Sequence, residues 1–342
     1  MKQRPPNPTW TAGLCAAALA LCSVGAPAQA QPSSAAAPIV NVERLEHGLK
    51  ALELGAGVYV VEGANADFSV ANGCNIINTG FIVTDAGVLV INTGPGRIYG
   101  EQLRALIART TPQPVVQVLH LNLHPDYFLG NQAFADVPRR ATALTGAGMA
   151  REAAGYETNL YRLCGDWMKG TQALQPDAAV AVTPGGGTLR IGSREFALHE
   201  LDGHTDSDLV LIDRRSGVAF VGGLVFVDRI PTTPHARIGD WQRSLDRLQP
   251  LLESAGVKTL VPSHGPVRAS LDGIAQTRGY LQWLDRNFSL WARQGWEMNE
   301  VLKAPVPALY RGWAAFETEY LRNVVHLYPR YESQVLSATR PR

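Results

Sequence analysis

Apolar residues recur at every second position in several short runs of this chain, and at every third or fourth position in others. VYVVEG (Val58 to Gly63), NIINTGFIVTD (Asn75 to Asp85) and GVLVINTG (Gly87 to Gly94) are rich in Val and Ile and are punctuated by Gly, Asn and Asp, which predicts paired strands with tight turns. GEQLRALIARTT then sets Leu103, Leu106 and Ile107 on one helical face. VVQVLHLN predicts the next strand, and HPDYFLGN follows it as a loop. The second half repeats this grammar. TLRIGSREFALHEL and DLVLIDRRSGVAFVGGLVF predict strands with a hairpin turn at Arg214 to Gly217, WQRSLDRLQPLLESAG a helix, and KTLVPSHGPV a strand ending in a loop. Strands then helix, twice over, predict an α/β fold: a four-layer αβ/βα sandwich of two similar halves, sheets packed together and helices outside.

From Ala269 the pattern turns helical and carries Trp283, Trp291, Trp296 and Trp313, a stripe that reads as core or interface. The predicted organisation is a main domain over 39–268, with a helical C-terminal extension over 269–342 packed on the same domain. The beginning is different material. Lys2 and Arg4 precede the apolar stretch TWTAGLCAAALALCSVG, and Ala28, Gln29 and Ala30 end it, which predicts a secretory signal peptide over 1–30. The apolar run falls short of the roughly 20 residues of a membrane span, and Leu21 before Cys22 disfavours a lipoprotein. QPSSAAAP, 31–38, is a linker by composition.

Export narrows the redox question. Cys15 and Cys22 leave with the signal, so Cys74 and Cys164 remain, either as a disulfide or as two buried thiols. The expected location is periplasmic or secreted. With 46% hydrophobic residues, 18% charged residues and a formal net charge of +1, the chain can bury a sizeable core and offers no field to draw nucleic acid or an anionic membrane. No nucleic-acid partner and no membrane span after signal removal are expected.

The candidate chemistry sits at strand ends. His124 and Asp126 lie in the loop after VVQVLHLN, His204 lies in LDGHTDSD just before a strand, and His264 lies in VPSHGPV just after one. Three imidazoles and one carboxylate delivered by three loops are ligand types that zinc prefers. Singly, a histidine beside Gly is more often a turn residue; the signal is the joint arrangement. Asp208 reads as a loop-fixing hydrogen-bond acceptor, His120 as a less favoured substitute ligand, and His199 and His235 as structural or surface residues.

The order HPD, GHT with SD, then SHG, preceded by a strand ending INTG, resembles the metallo-β-lactamase fold superfamily from about Val58 to Val267. The wording VYVVEGANADFSVANGCNIINTGFIVTDAGVLVINTGP, HPDYFLGNQAFADV and YRLCGDWMKGT is similar to the exported quinoprotein relay system zinc metallohydrolases, a group associated with pyrroloquinoline quinone dehydrogenase systems. The resemblance implies the metallo-β-lactamase fold, zinc and hydrolysis. The pattern H-x-H-x-D-H falls on Asn122, His124, Asp126 and Tyr127, so its first and last histidines are missing. The next histidine matches His204, the bridging aspartate falls on Gly223, the last histidine matches His264, and a supporting aspartate becomes Asn92.

Two dications need anionic ligands to offset their repulsion, and one carboxylate remains at these positions. The expectation is therefore one zinc ion on His124, Asp126, His204 and His264, with Asp126 or Tyr127 orienting the attack or stabilising the developing anion, on a small-molecule substrate. The alternative is a metal-free periplasmic protein whose neutral pocket, with Asn92, Asn122 and Tyr127, binds a small molecule or a quinoprotein dehydrogenase.

Overall fold

The computed structural model describes residues 45–339; the predicted signal peptide and linker lie outside the described residues. The first sheet runs in chain order, β1 (Leu52–Gly55), β2 (Val58–Val61), β3 (Thr79–Thr84), β4 (Gly87–Ile91), β5 (Val115–Leu119), β6 (Arg139–Ala141) and β7 (Ala178–Ala179). β1 to β4 pair antiparallel, and β4 to β7 pair parallel. Parallel neighbours need a crossover, which α1 (Arg97–Thr110), α2 (Pro125–Phe128) and α3 (Ala143–Cys164) provide in turn. The second sheet holds β8 (Gly187–Ile191), β9 (Arg194–Leu201), β10 (Asp208–Asp213), β11 (Val218–Phe220) and β12 (Thr259–Val261), in the order β12-β11-β10-β9-β8. Its one parallel pair, β11 with β12, is joined through α4 (Ile238–Ser254). α5 (Asp272–Arg293), α6 (Met298–Val301), α7 (Ala308–Arg311) and α8 (Phe316–Thr339) complete the described chain.

Strand periodicity assigns the layers. On β4, Leu89 and Ile91 face β10 residues Leu209 and Leu211 in the core between the sheets, while Val88 and Val90 pack with Leu103 and Ile107 of α1. Both faces are covered, so GVLVI reads as a continuous apolar run. The other sheet behaves alike: Val210 and Ile212 turn outward onto a cluster that includes Trp241, Leu245 and Leu248 of α4, Leu281 of α5 and Tyr328 of α8. This is the four-layer sandwich expected, and the C-terminal helices share its core. Each fully buried Leu or Ile contributes about 1.5–3 kcal/mol.

Three details depart from the strand pattern. β5 stops at Leu119, because the chain then leaves its sheet: Leu121 N–H donates to the Asn92 side chain at 3.0 Å, and its carbonyl accepts from Leu209 N–H of β10 at 2.8 Å. Asn75 to Asn78 stay outside β3, because Asn78 donates through its side chain to the carbonyls of Pro262 and Gly265 at 3.1 and 2.8 Å. α3, 22 residues long, buries only Thr145, Gly148, Met149, Leu160 and Cys164, too few to announce a helix by apolar spacing. Cys164, its last residue, forms a disulfide with Cys74 across a separation of 90 residues, Cα atoms 5.8 Å apart, a link that stabilises such domains by about 2–5 kcal/mol. Among the described residues no helix is long and apolar enough to cross a membrane.

Candidate functional site

The loop after β5 reaches the second sheet and stops at a proline. Pro125 sits in the first turn of α2 and holds His124 extended, at φ −66° and ψ 154°. Asn92, in the left-handed region at φ 58°, pins the loop from β4; asparagine tolerates that backbone better than most residues. Asn122 accepts from His124 N–H at 2.9 Å through its side-chain oxygen. Its amide nitrogen donates to Asp208 Oδ1 at 2.5 Å and lies 3.3 Å from His204 Nδ1. Asn122 is thus a brace of the wall.

His204 and Asp208 form the rest of this brace. His204 Nδ1 lies 3.1 Å from Asp208 Oδ1, while Asp208 Oδ2 accepts from Thr205 N–H and Oγ1 at 2.9 and 3.2 Å. Gly223 backs onto them: a Cβ there would lie 1.9 Å from His204 Nδ1 and 2.6 Å from Asp208 Oδ1. No side chain fits at 223. The ring of His204 stands where one would begin.

His264 enters from the loop after β12. Its Nδ1 lies 2.8 Å from the Ile76 carbonyl, so that nitrogen carries the proton and Nε2 is left as the free lone pair, 3.5 Å from Asp126 Oδ2. Asp126 is buried, its Oδ2 has no hydrogen-bond partner, and burial pushes its carboxyl up to about 7. His204 Nε2 is likewise buried without a partner. Burial holds His124 and His264 well below the usual imidazole range, so both are neutral near pH 7.

A cavity of about 450 Å³ opens here, lined by His124, Asp126 and His264, by His235, and by two residues that the sequence did not flag, Arg229 and Glu319. Arg229 and Glu319 are both buried, with Arg229 Nη2 3.7 Å from Glu319 Oε1. Burial lowers the guanidinium and raises the carboxyl, each then partly opposed by its neighbour's charge. Glu319 belongs to α8, so the C-terminal extension supplies part of the cavity wall. Grooves of about 470 Å³ beside Trp283 and about 440 Å³ beside Tyr161 contain none of these groups.

His235, read from sequence as structural or surface, is half-buried in the cavity, its Nδ1 3.1 Å from His124 Nε2. Nothing in TTPHAR marks it, because its role depends on a partner 111 positions away. His120 is fully buried, its Nδ1 3.2 Å from the Tyr127 carbonyl, and it lines no part of the cavity. Tyr127 packs in the core between the sheets, with its phenol pushed well above the ordinary range by burial and then by the carboxylates of Asp126 and Asp208. His199 lies away from the site, beside Arg247 and Leu251.

The predicted ligands therefore come together as two pairs, Asp126 with His264 and His124 with His204, whose rings are 4.8 Å apart. Among the described residues no three His, Cys, Asp or Glu side chains stand grouped closely enough to hold a metal ion as they are. The donor chemistry still suits one: neutral imidazoles with one nitrogen anchored, and a buried oxygen without a partner.

Solved structures with this fold include a metallo-beta-lactamase from Pontibacter korlensis, 24% identical, covering 68% of this chain and 99% of its own at a TM-score of 0.55. Another, from Hirschia baltica, is 16% identical, covering 68% and 97% at a TM-score of 0.53. These likenesses concern the fold. No curated protein matches the chain. The sequence pattern of the metallo-beta-lactamase superfamily matches residues 72–264, more than half of the chain and the whole interval from the first disulfide cysteine's neighbourhood to His264. With the two-sheet sandwich and the strand-end histidines, that match shows that the chain belongs to the metallo-beta-lactamase superfamily.

Proposed function

We propose that this protein is a metal-dependent hydrolase working with a single zinc ion on His124, Asp126, His204 and His264. One observation carries the reading: His204 and His264 each spend Nδ1 on an anchoring oxygen, Asp208 or the Ile76 carbonyl, and keep Nε2 uncommitted, that of His264 lying 3.5 Å from the unpartnered Asp126 Oδ2. Imidazoles fixed in this way are the usual neighbours of a divalent cation. A single ion is favoured because residue 223 has no side chain and Asn122 is spent on Asp208. When bound, the ion supplies a water of lowered pKa as nucleophile toward an ester, lactam or similar carbonyl. The chain's own residues orient the site: Asp208 and Ile76 set the rings, and Arg229 and Glu319 line the space where a small substrate would lie. Export to the periplasm and service to a quinoprotein dehydrogenase belong to the same proposal, resting on the signal-like residues 1–30 and the quoted wording.

Elemental analysis of the purified chain tests it. Wild type should carry about one equivalent of zinc, and His264→Ala and Asp126→Ala should lose it. A second reading, a metal-free ligand-binding protein, is favoured by the Asn122–Asp208 bond and by the separation of the ligands into pairs. Zinc absent from wild type under zinc-replete conditions, or equal in all three proteins, would select it.

A further inference from the structure

We infer that His235 is a positioning residue that fixes the ring of His124, presenting His124 Nδ1 to the site; the consequence for zinc rests on the function proposed above. His204 and His264 have their anchors in Asp208 and the Ile76 carbonyl, and His124 has a third in His235, Nε2 to Nδ1 at 3.1 Å. Two facing imidazole nitrogens hold together when one donates and the other accepts. Glu152 indicates which. Its Oε1, which also accepts from Arg151 Nε at 3.0 Å, lies 3.9 Å from His235 Nε2, beyond hydrogen-bond reach, and its negative charge favours the proton on that nitrogen. His235 Nδ1 is then the acceptor, His124 Nε2–H the donor, and His124 Nδ1 the free lone pair.

The segment around His235 is fastened on both sides. Arg237 N–H donates to the Gly203 carbonyl at 2.6 Å, and the Arg237 guanidinium binds Asp202, Asp206 and Asp240, which ties the segment to the His204 loop. Arg330 of α8 donates to the carbonyls of Ala236 and Pro234 at 2.5 and 3.2 Å. An anchor held this firmly can set a neighbour's ring. The C-terminal helix thereby supports the segment that carries His235.

The test uses His235→Ala and His235→Asn in the full chain; the asparagine oxygen stands close to the position of Nδ1 and can accept the same hydrogen bond. In zinc-free protein, long-range proton–nitrogen NMR should show His124 as a single Nε2–H tautomer in wild type and in His235→Asn, and as a mixture in His235→Ala. Zinc affinity from chelator competition should fall about 10- to 100-fold in His235→Ala and recover in His235→Asn. An unchanged His124 tautomer in His235→Ala overturns the inference; a changed tautomer with unchanged zinc affinity overturns its consequence for zinc. If wild type takes no zinc, the proposed function fails, and the tautomer alone still decides whether His235 sets His124.

Discussion

Two walls of the site have opposite hydrogen-bonding character. Behind His204, both oxygens of Asp208 are used, accepting from Asn122, His204 and Thr205. On the cavity lining, Asp126 Oδ2, Arg229 Nε and Glu319 Oε2 are buried and unpartnered. An unpaired buried polar atom costs roughly 1–3 kcal/mol. The saturated wall is therefore built for rigidity, and the unsaturated wall holds polar capacity in reserve for a ligand. Of the positions where the resemblance implies further ligands, Asn122 and Gly223 lie on the saturated side, whereas Tyr127 has a buried hydroxyl without a partner.

Breaking the saturated wall should have the largest effect. Asp208→Ala removes the acceptor shared by the Asn122 amide, His204 Nδ1 and Thr205 N–H, and urea denaturation should show a loss of about 3–5 kcal/mol. A loss below about 1 kcal/mol would mean that the network is incidental. Gly223→Ala attacks the same wall sterically. The added methyl must displace the His204 ring, so denaturation should show a loss of up to about 3 kcal/mol, and zinc uptake should fall with it.

The third test is of pH. Burial holds His120 at about 3, below the 6.5 of an exposed imidazole, so only the unfolded chain takes up its proton over that interval. Stability is full above pH 6.5 and declines as pH falls toward 3; at about pH 5 the zinc-free protein should have lost roughly 2 kcal/mol to this group. His120→Asn, which can still donate to the Tyr127 carbonyl, should flatten the decline, and an unchanged slope would assign it to other groups. The smallest effect should have the opposite sign. Asp126→Asn on the unsaturated wall removes a buried, poorly solvated carboxylate, so the zinc-free protein should gain about 1 kcal/mol while losing its zinc. A loss of stability there would erase the distinction between the walls.

Much of the sandwich was legible because strand burial repeats every two residues. Leu89 and Ile91 against Val88 and Val90 can be read off without knowing what covers either face. α3 was not legible, because it buries few of its residues and lies largely exposed. At the site, His124, Asp126, His204 and His264 were visible as residue types at strand ends, and Asp208 as a brace. His235, Arg229 and Glu319 were not, since an isolated His, Arg or Glu carries no local signal.

By itself the sequence determined the alternation that sorts side chains to the two faces of each sheet, and the donor types available at 122, 124, 126, 204, 223 and 264. Only the tertiary structure decided that Cys74 and Cys164 pair, which nitrogen of each histidine stays free, and that α8 walls the cavity. Those outcomes depend on atoms meeting across long stretches of chain, 188 positions for His264 and Ile76, and spacing along a strand or helix has no means of encoding such a meeting.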